Sequence, residues 1–132
     1  MVKIVRNPTF IAEMVIGSRR GYSDEQITEA EYVGFIQDWQ QKLYAKTGFL
    51  LSAKVTPCQI VMAGQIEPHF EISFINYPKF LIGESELKLH IENLLRALML
   101  EFEQNRVVLI YLDETVMFEM SPKVDPRITE YE

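Results

Sequence analysis

The chain of 132 residues is 48% hydrophobic and 24% charged, carries a formal net charge of −6 and contains one cysteine, Cys58. That length is one domain, large enough to bury roughly two thirds of its unfolded surface without disulfide staples. A single cysteine excludes an intrachain disulfide and fits a cytoplasmic compartment. The acidic balance argues against a sequence-independent grip on nucleic acid or anionic lipid, and no run of about 18 apolar residues is present to span a membrane.

Met1 to Pro8 reads as a lead-in, with no apolar run of signal length. Phe10 to Ile16, closed by Gly17, is short, β-branched and flanked by breakers, which predicts a strand. Ser18 to Asp24 is a loop carrying Arg19, Arg20, Gly21 and Tyr22. Thr28-Glu29-Ala30-Glu31 has the form of a capping box, with Ile27 and Tyr32 placed as its hydrophobic staple. Tyr32, Phe35, Ile36, Trp39 and Leu43 then recur at steps of three and four. A helix from about Glu29 to Thr47 follows, with Gly48 as its C-cap.

Leu50 to Tyr77 reads as a β-hairpin turning at Ala63-Gly64-Gln65. Phe70, Ile72 and Phe74 alternate with Glu71, Ser73 and Ile75, which is the period of a strand. Pro57 in the first arm cannot donate to a ladder, so that arm is an edge strand or carries a bulge. A second helix is expected from about Glu86 to Gln104, with Ser85 as N-cap, Asn105 as end cap, and a stripe of Leu87, Ile91, Leu94, Leu95, Leu98 and Phe102. Val107 to Leu112 is a continuous apolar run, as in a buried strand. Val116, Phe118 and Met120 alternate once more, as a short extra strand or an extension. Residues 1–120 therefore form one domain, and 121–132 a loose tail or an arm laid on a partner.

Strand, helix, strand, strand, helix, strand is the ferredoxin-like split βαββαβ order. It predicts an α+β fold: a four-stranded antiparallel sheet with both helices on one face, with Val116 to Met120 as an extra C-terminal strand or an extension. Neighbouring residues such as Met14 and Val15, Phe74 and Ile75, and Leu109 and Ile110 make both faces of the strands apolar. The face without helices is then expected to pack on a second copy, most simply as a symmetric dimer, or on another protein. Nucleic acid and membrane are not expected partners.

Five residues stand out as a candidate binding set. Arg19 and Arg20 lie near a helix start, where paired guanidinium groups can hold a carboxylate or phosphate, with Tyr22 beside them. Glu67 and His69, at the entry to the second hairpin arm, could serve acid–base work. Each has a plain alternative as a solvated loop residue. The spacing of Glu67, His69 and Cys58 matches no metal-ligand signature, Asp113-Glu114 is no calcium loop, and neither the Walker pattern nor the dinucleotide fingerprint occurs. No metal or cofactor is expected. Cys58, among Val55, Pro57, Ile60 and Val61, reads as an inert thiol. Phe70 and Phe74 lack the basic motif of RNA-binding sheets and read as core.

Two functions fit this pattern. The first expectation is a non-enzymatic assembly domain that self-associates through its sheet face. The alternative is a small enzyme, or a small-molecule or anion-binding domain, with its site near residues 18–22 or around His69. A polar-lined pocket containing His69 or Arg20 would favour the alternative.

Overall fold

The computed structural model describes residues 1–127. The elements are β1 (Ile11–Gly17), α1 (Glu29–Thr47), β2 (Ala53–Met62), β3 (Gln65–Ile75), α2 (Glu84–Glu101), β4 (Arg106–Tyr111) and β5 (Thr115–Glu119), with a 3₁₀ turn at Pro78–Phe80. The strands form one antiparallel sheet in the order β2-β3-β1-β4-β5. This is the ferredoxin-like α+β fold with the extra strand at one edge. Among the described residues, no helix is long and apolar enough to cross a membrane.

The local signals explain most of the boundaries. Thr28 Oγ1 accepts from the Glu31 amide at 3.1 Å, and the Glu31 carboxylate accepts from the Thr28 amide at 2.7 Å. Both halves of the capping box are thus made. Gly48 closes α1 in the left-handed region with φ 74°. Ala63 and Gly64 join β2 to β3 with φ 52° and 75°, the paired positive angles of a tight type I′ hairpin. β2 lies at the sheet edge, where the missing donor of Pro57 does no harm.

The second helix departs from expectation. It begins at Glu84 after Gly83, with no side-chain cap, and its C-cap is Phe102. Glu103 follows with φ 53°, and the Gln104 amide donates back to Met99 O at 3.0 Å. That bond pattern is a Schellman ending, which puts Glu103 where glycine is usual. Asn105 is not an end cap. Its side chain instead reaches Tyr22 Oη and the carbonyls of Ser121 and Lys123.

The core lies between sheet and helices. Met14, Ile16, Ile72, Leu94, Leu98 and Leu109 are fully buried in it, and the Tyr32 ring packs on Phe70 and Phe102. Trp39 is only half-buried and packs at the core's margin. The two sheet faces are also less alike than expected. The helix-covered face is wholly apolar along β1 and β3, whereas Glu13, Glu71 and Ser73 stand on the open face between Ile11, Val15 and Ile75.

Candidate active site on the open sheet face

The open face changes along its length. At one end Ile11, Ile75 and Ile110 are partly exposed. At the other end β1 stops at Gly17, while β3 runs on through Gln65 to Pro68 paired only with β2. The loop after β1, the turn after α2 and residues 121–127 close in around that overhang. Together they enclose a cavity of about 600 Å³, within the range of small-molecule sites. Val15, Val108, Ile60 and Met62 supply its apolar surface.

Residues 121–127 form the outer wall, held by polar contacts. Asn105 Nδ2 donates to Ser121 O and Lys123 O at 3.1 Å each. Tyr22 Oη donates to Lys123 O at 3.0 Å and accepts from Arg106 Nη1 at 3.2 Å. Arg127 donates to Tyr22 O at 3.2 Å and pairs with Asp24 and Asp125. Gln65 Nε2 donates to Arg127 O at 3.0 Å. The remainder of the expected tail, 128–132, lies outside the described residues.

Four of the five residues singled out from the sequence line this cavity: Arg19, Tyr22, Glu67 and His69. Arg20 does not. Its guanidinium pairs with Glu25 at 2.8 Å, donates to Glu101 O at 2.9 Å and lies 5.6 Å from the centre of the Phe102 ring. It therefore braces the end of α2, where a cation suits the free carbonyls. Arg19 makes no side-chain hydrogen bond or ion pair among the described residues.

Glu67 is the chemically conspicuous group. Its Oε1 is buried without a hydrogen-bond partner among the described residues. A buried acceptor left unmet costs about 1–3 kcal/mol, so it marks a place where a donor or cation is wanted. The other carboxylate on the wall, Asp125, is already engaged by Arg127 at 3.3 Å. His69 Nδ1 lies 3.3 Å from Glu67 O. A carbonyl can only accept, so Nδ1 carries the proton, and in the Nδ1–H tautomer Nε2 is left to accept.

Cys58 sits on the open face opposite His69 in the β2–β3 register. Burial, with Glu71 nearby, pushes its thiol above the ordinary value, which disfavours the reactive thiolate. Among the described residues no three metal-binding side chains converge.

Gly17, Gln104, Asn105, Arg106 and Arg127 also line the site and carried no functional signal in the sequence. Gln104 and Asn105 follow a helical stripe and read as a helix end. Only the pairing of β1 with β4 brings that end beside the loop after β1.

No family model and no curated protein matches the chain. Two solved structures do share its fold. A phage SAM lyase in its apo state superposes with a TM-score of 0.71 at 14% identity, over 94% of this chain and 99% of that one. A phage SAM lyase in complex with S-methyl-5′-thioadenosine superposes with a TM-score of 0.64 at 16% identity, over the same shares, 94% and 99%. These likenesses correct the expectation of a non-enzymatic assembly domain. The solved chains that match over 94% of this one are those of an enzyme, and the sheet face expected to pack on a second copy or another protein carries a pocket lined in part by Arg19, Glu67 and His69.

Proposed function

We propose that this chain is a small lyase that binds a sulfonium nucleoside of the S-adenosylmethionine type in the pocket under residues 121–127. It cleaves the bond between the sulfur and the amino-acid carbon chain, releasing 5′-methylthioadenosine. The observation that carries this reading is Glu67 Oε1, a carboxylate oxygen buried in a cavity of small-molecule size and without a partner among the described residues. A sulfonium is a fixed cation with no N–H or O–H to donate, so it is held by charge and by apolar contact. Glu67 supplies the charge, and Ile60, Met62 and Val108 the contact. Arg19 is the cation on the wall with no described partner, suited to the substrate's carboxylate.

When the bond breaks, its electron pair goes to sulfur, which becomes a neutral thioether. The carbon left behind is satisfied by the substrate's own carboxylate, which closes a five-membered ring; no proton moves and no water enters. Positive charge fades from sulfur along this path. Attraction to Glu67 is therefore strongest in the bound ground state and serves binding more than rate. Rate comes from holding carboxylate and carbon in register.

Incubation with S-adenosylmethionine, followed by chromatography for 5′-methylthioadenosine, tests the reading. Stoichiometric release is expected. Glu67→Gln should raise KM about 10–100-fold, the loss of one desolvated charge contact, with a smaller change in kcat. A collapse of kcat with an alkene as the second product would instead make Glu67 a general base. No release, together with no calorimetric binding, would overturn the proposal.

A further inference from the structure

Gly17 is the floor of the pocket, and what stands over it is specific. A methyl group built at Gly17 would lie 2.7 Å from Gln104 Oε1 and 3.8 Å from His69 Nε2. Gln104 is only 7% exposed. Its amide nitrogen donates to Arg19 O at 2.7 Å and to Phe102 O at 2.8 Å. These two carbonyls set the amide's orientation, because a flipped amide would press oxygen against oxygen. Oε1 is therefore aimed at Gly17 and the cavity, and it accepts no hydrogen bond among the described residues. His69 Nε2, its partner across Gly17, is an acceptor as well in the tautomer whose Nδ1–H is turned to Glu67 O.

Two acceptors standing together call for a group bearing several N–H donors. We infer that Gln104 and His69 are positioning and specificity residues that bind a primary amine of the ligand over Gly17. This inference rests on the sulfonium reading and deepens it. A nucleoside of that class carries two such amines, the α-ammonium of its amino-acid portion and the 6-amino group of its adenine.

The backbone is bent to make this arrangement. Glu103 takes the left-handed conformation that glycine usually fills, with φ 53°, and the next residue is Gln104. The strain of a side chain in that region persists where surrounding contacts hold it, as functional sites often do. Gly17 is held in turn by Tyr32, whose buried hydroxyl donates to Gly17 O at 2.6 Å.

The test compares kcat/KM for thioether release from three sulfonium compounds: S-adenosylmethionine, its analogue lacking the α-amine, and its inosine counterpart lacking the 6-amine. One of the two analogues should fall at least tenfold below the parent, which names the amine that is read. In Gln104→Leu and His69→Phe that discrimination should shrink to within about threefold, by loss of the parent's rate and not the analogue's. A variant that was merely misfolded would lose both rates in proportion. Should Gln104→Leu not fold, His69→Phe and the unmodified protein still decide the question. Equal kcat/KM for all three compounds would overturn the amine reading alone. Release from none would overturn the sulfonium proposal and this inference with it.

Discussion

The two faces of the sheet are made from the same strands, one residue out of phase, and they solve different problems. On the helix side Ala12, Met14, Ile16, Ile72 and Leu109 have no exposure at all. On the other side Glu13, Lys54, Glu71 and Ser73 interrupt Ile11, Val15 and Ile75. The two helices seal the first face along β1, β4 and the middle of β3, so a polar group has no place there. Among the described residues the other face is roofed only at one end, by residues 121–127, and there a carboxylate oxygen of Glu67 is withdrawn from water without a described partner. Where the helices seal a face, it makes a core. A face sealed at one end, with polar groups left beneath the seal, makes a site.

Aspartate at adjacent positions of β1 should break this contrast most sharply. Met14→Asp puts an unpaired charge into the core and should cost more than about 4 kcal/mol, leaving the chain unfolded by circular dichroism. Val15→Asp lies on the pocket side and should keep stability within about 1 kcal/mol in urea, in the range of surface changes. Equal losses at the two positions would show that the faces are not distinct. At the core's margin, Trp39→Ala should cost about 2 kcal/mol, less than the ~3–5 of a fully buried aromatic, because its ring is only half-covered. A loss below about 0.5 kcal/mol in the same assay would place Trp39 off the core.

Tyr32 joins the two faces, since its ring lies in the core and its hydroxyl holds Gly17 O. Burial, the largest influence, pushes that hydroxyl well above the ordinary phenol value of 10.0, with Arg20 opposing. Tyr111 moves the same way, through burial and its bond to Glu92. The folded state thus keeps protons that the unfolded chain gives up above about pH 10. Their contribution is complete below that value and is lost as pH rises through the folded-state range. Denaturation midpoints should hold to about pH 9.5 and then fall, and Tyr32→Phe should flatten the fall while costing about 1 kcal/mol for the hydrogen bond. The smallest effect is expected on the site side: Glu103→Gly should relieve left-handed strain and raise stability by up to about 1 kcal/mol. A measured loss there would mean that the contacts of Glu103 outweigh the strain.

Much of the framework was legible along the chain because its causes are local. The capping box at Thr28 and Glu31, the αL glycine at Gly48 and the periodicity of both helices involve residues within a few positions of one another. The order of elements then led to the sheet. The start of α2 was misjudged because Ser85 offers a cap that the helix does not use, beginning instead after Gly83. Its end was misjudged because Glu103 occupies a conformation that nothing in its own side chain advertises.

The sequence by itself determined the elements, their order and which strand residues are apolar, since these follow from spacing and from turn chemistry. It also brought Arg19, Tyr22, Glu67 and His69 into view as residue types able to bind a ligand, though it ranked Arg20 equally with them. Only the tertiary structure turned Arg20 to the end of α2, laid residues 121–127 over the open face and set Gln104 against Gly17. Those outcomes depend on contacts between segments far apart in sequence, such as Gln104 with Arg19 and Arg127 with Tyr22. No local pattern encodes such a pairing, because it comes into being only when β1, β3 and β4 lie side by side.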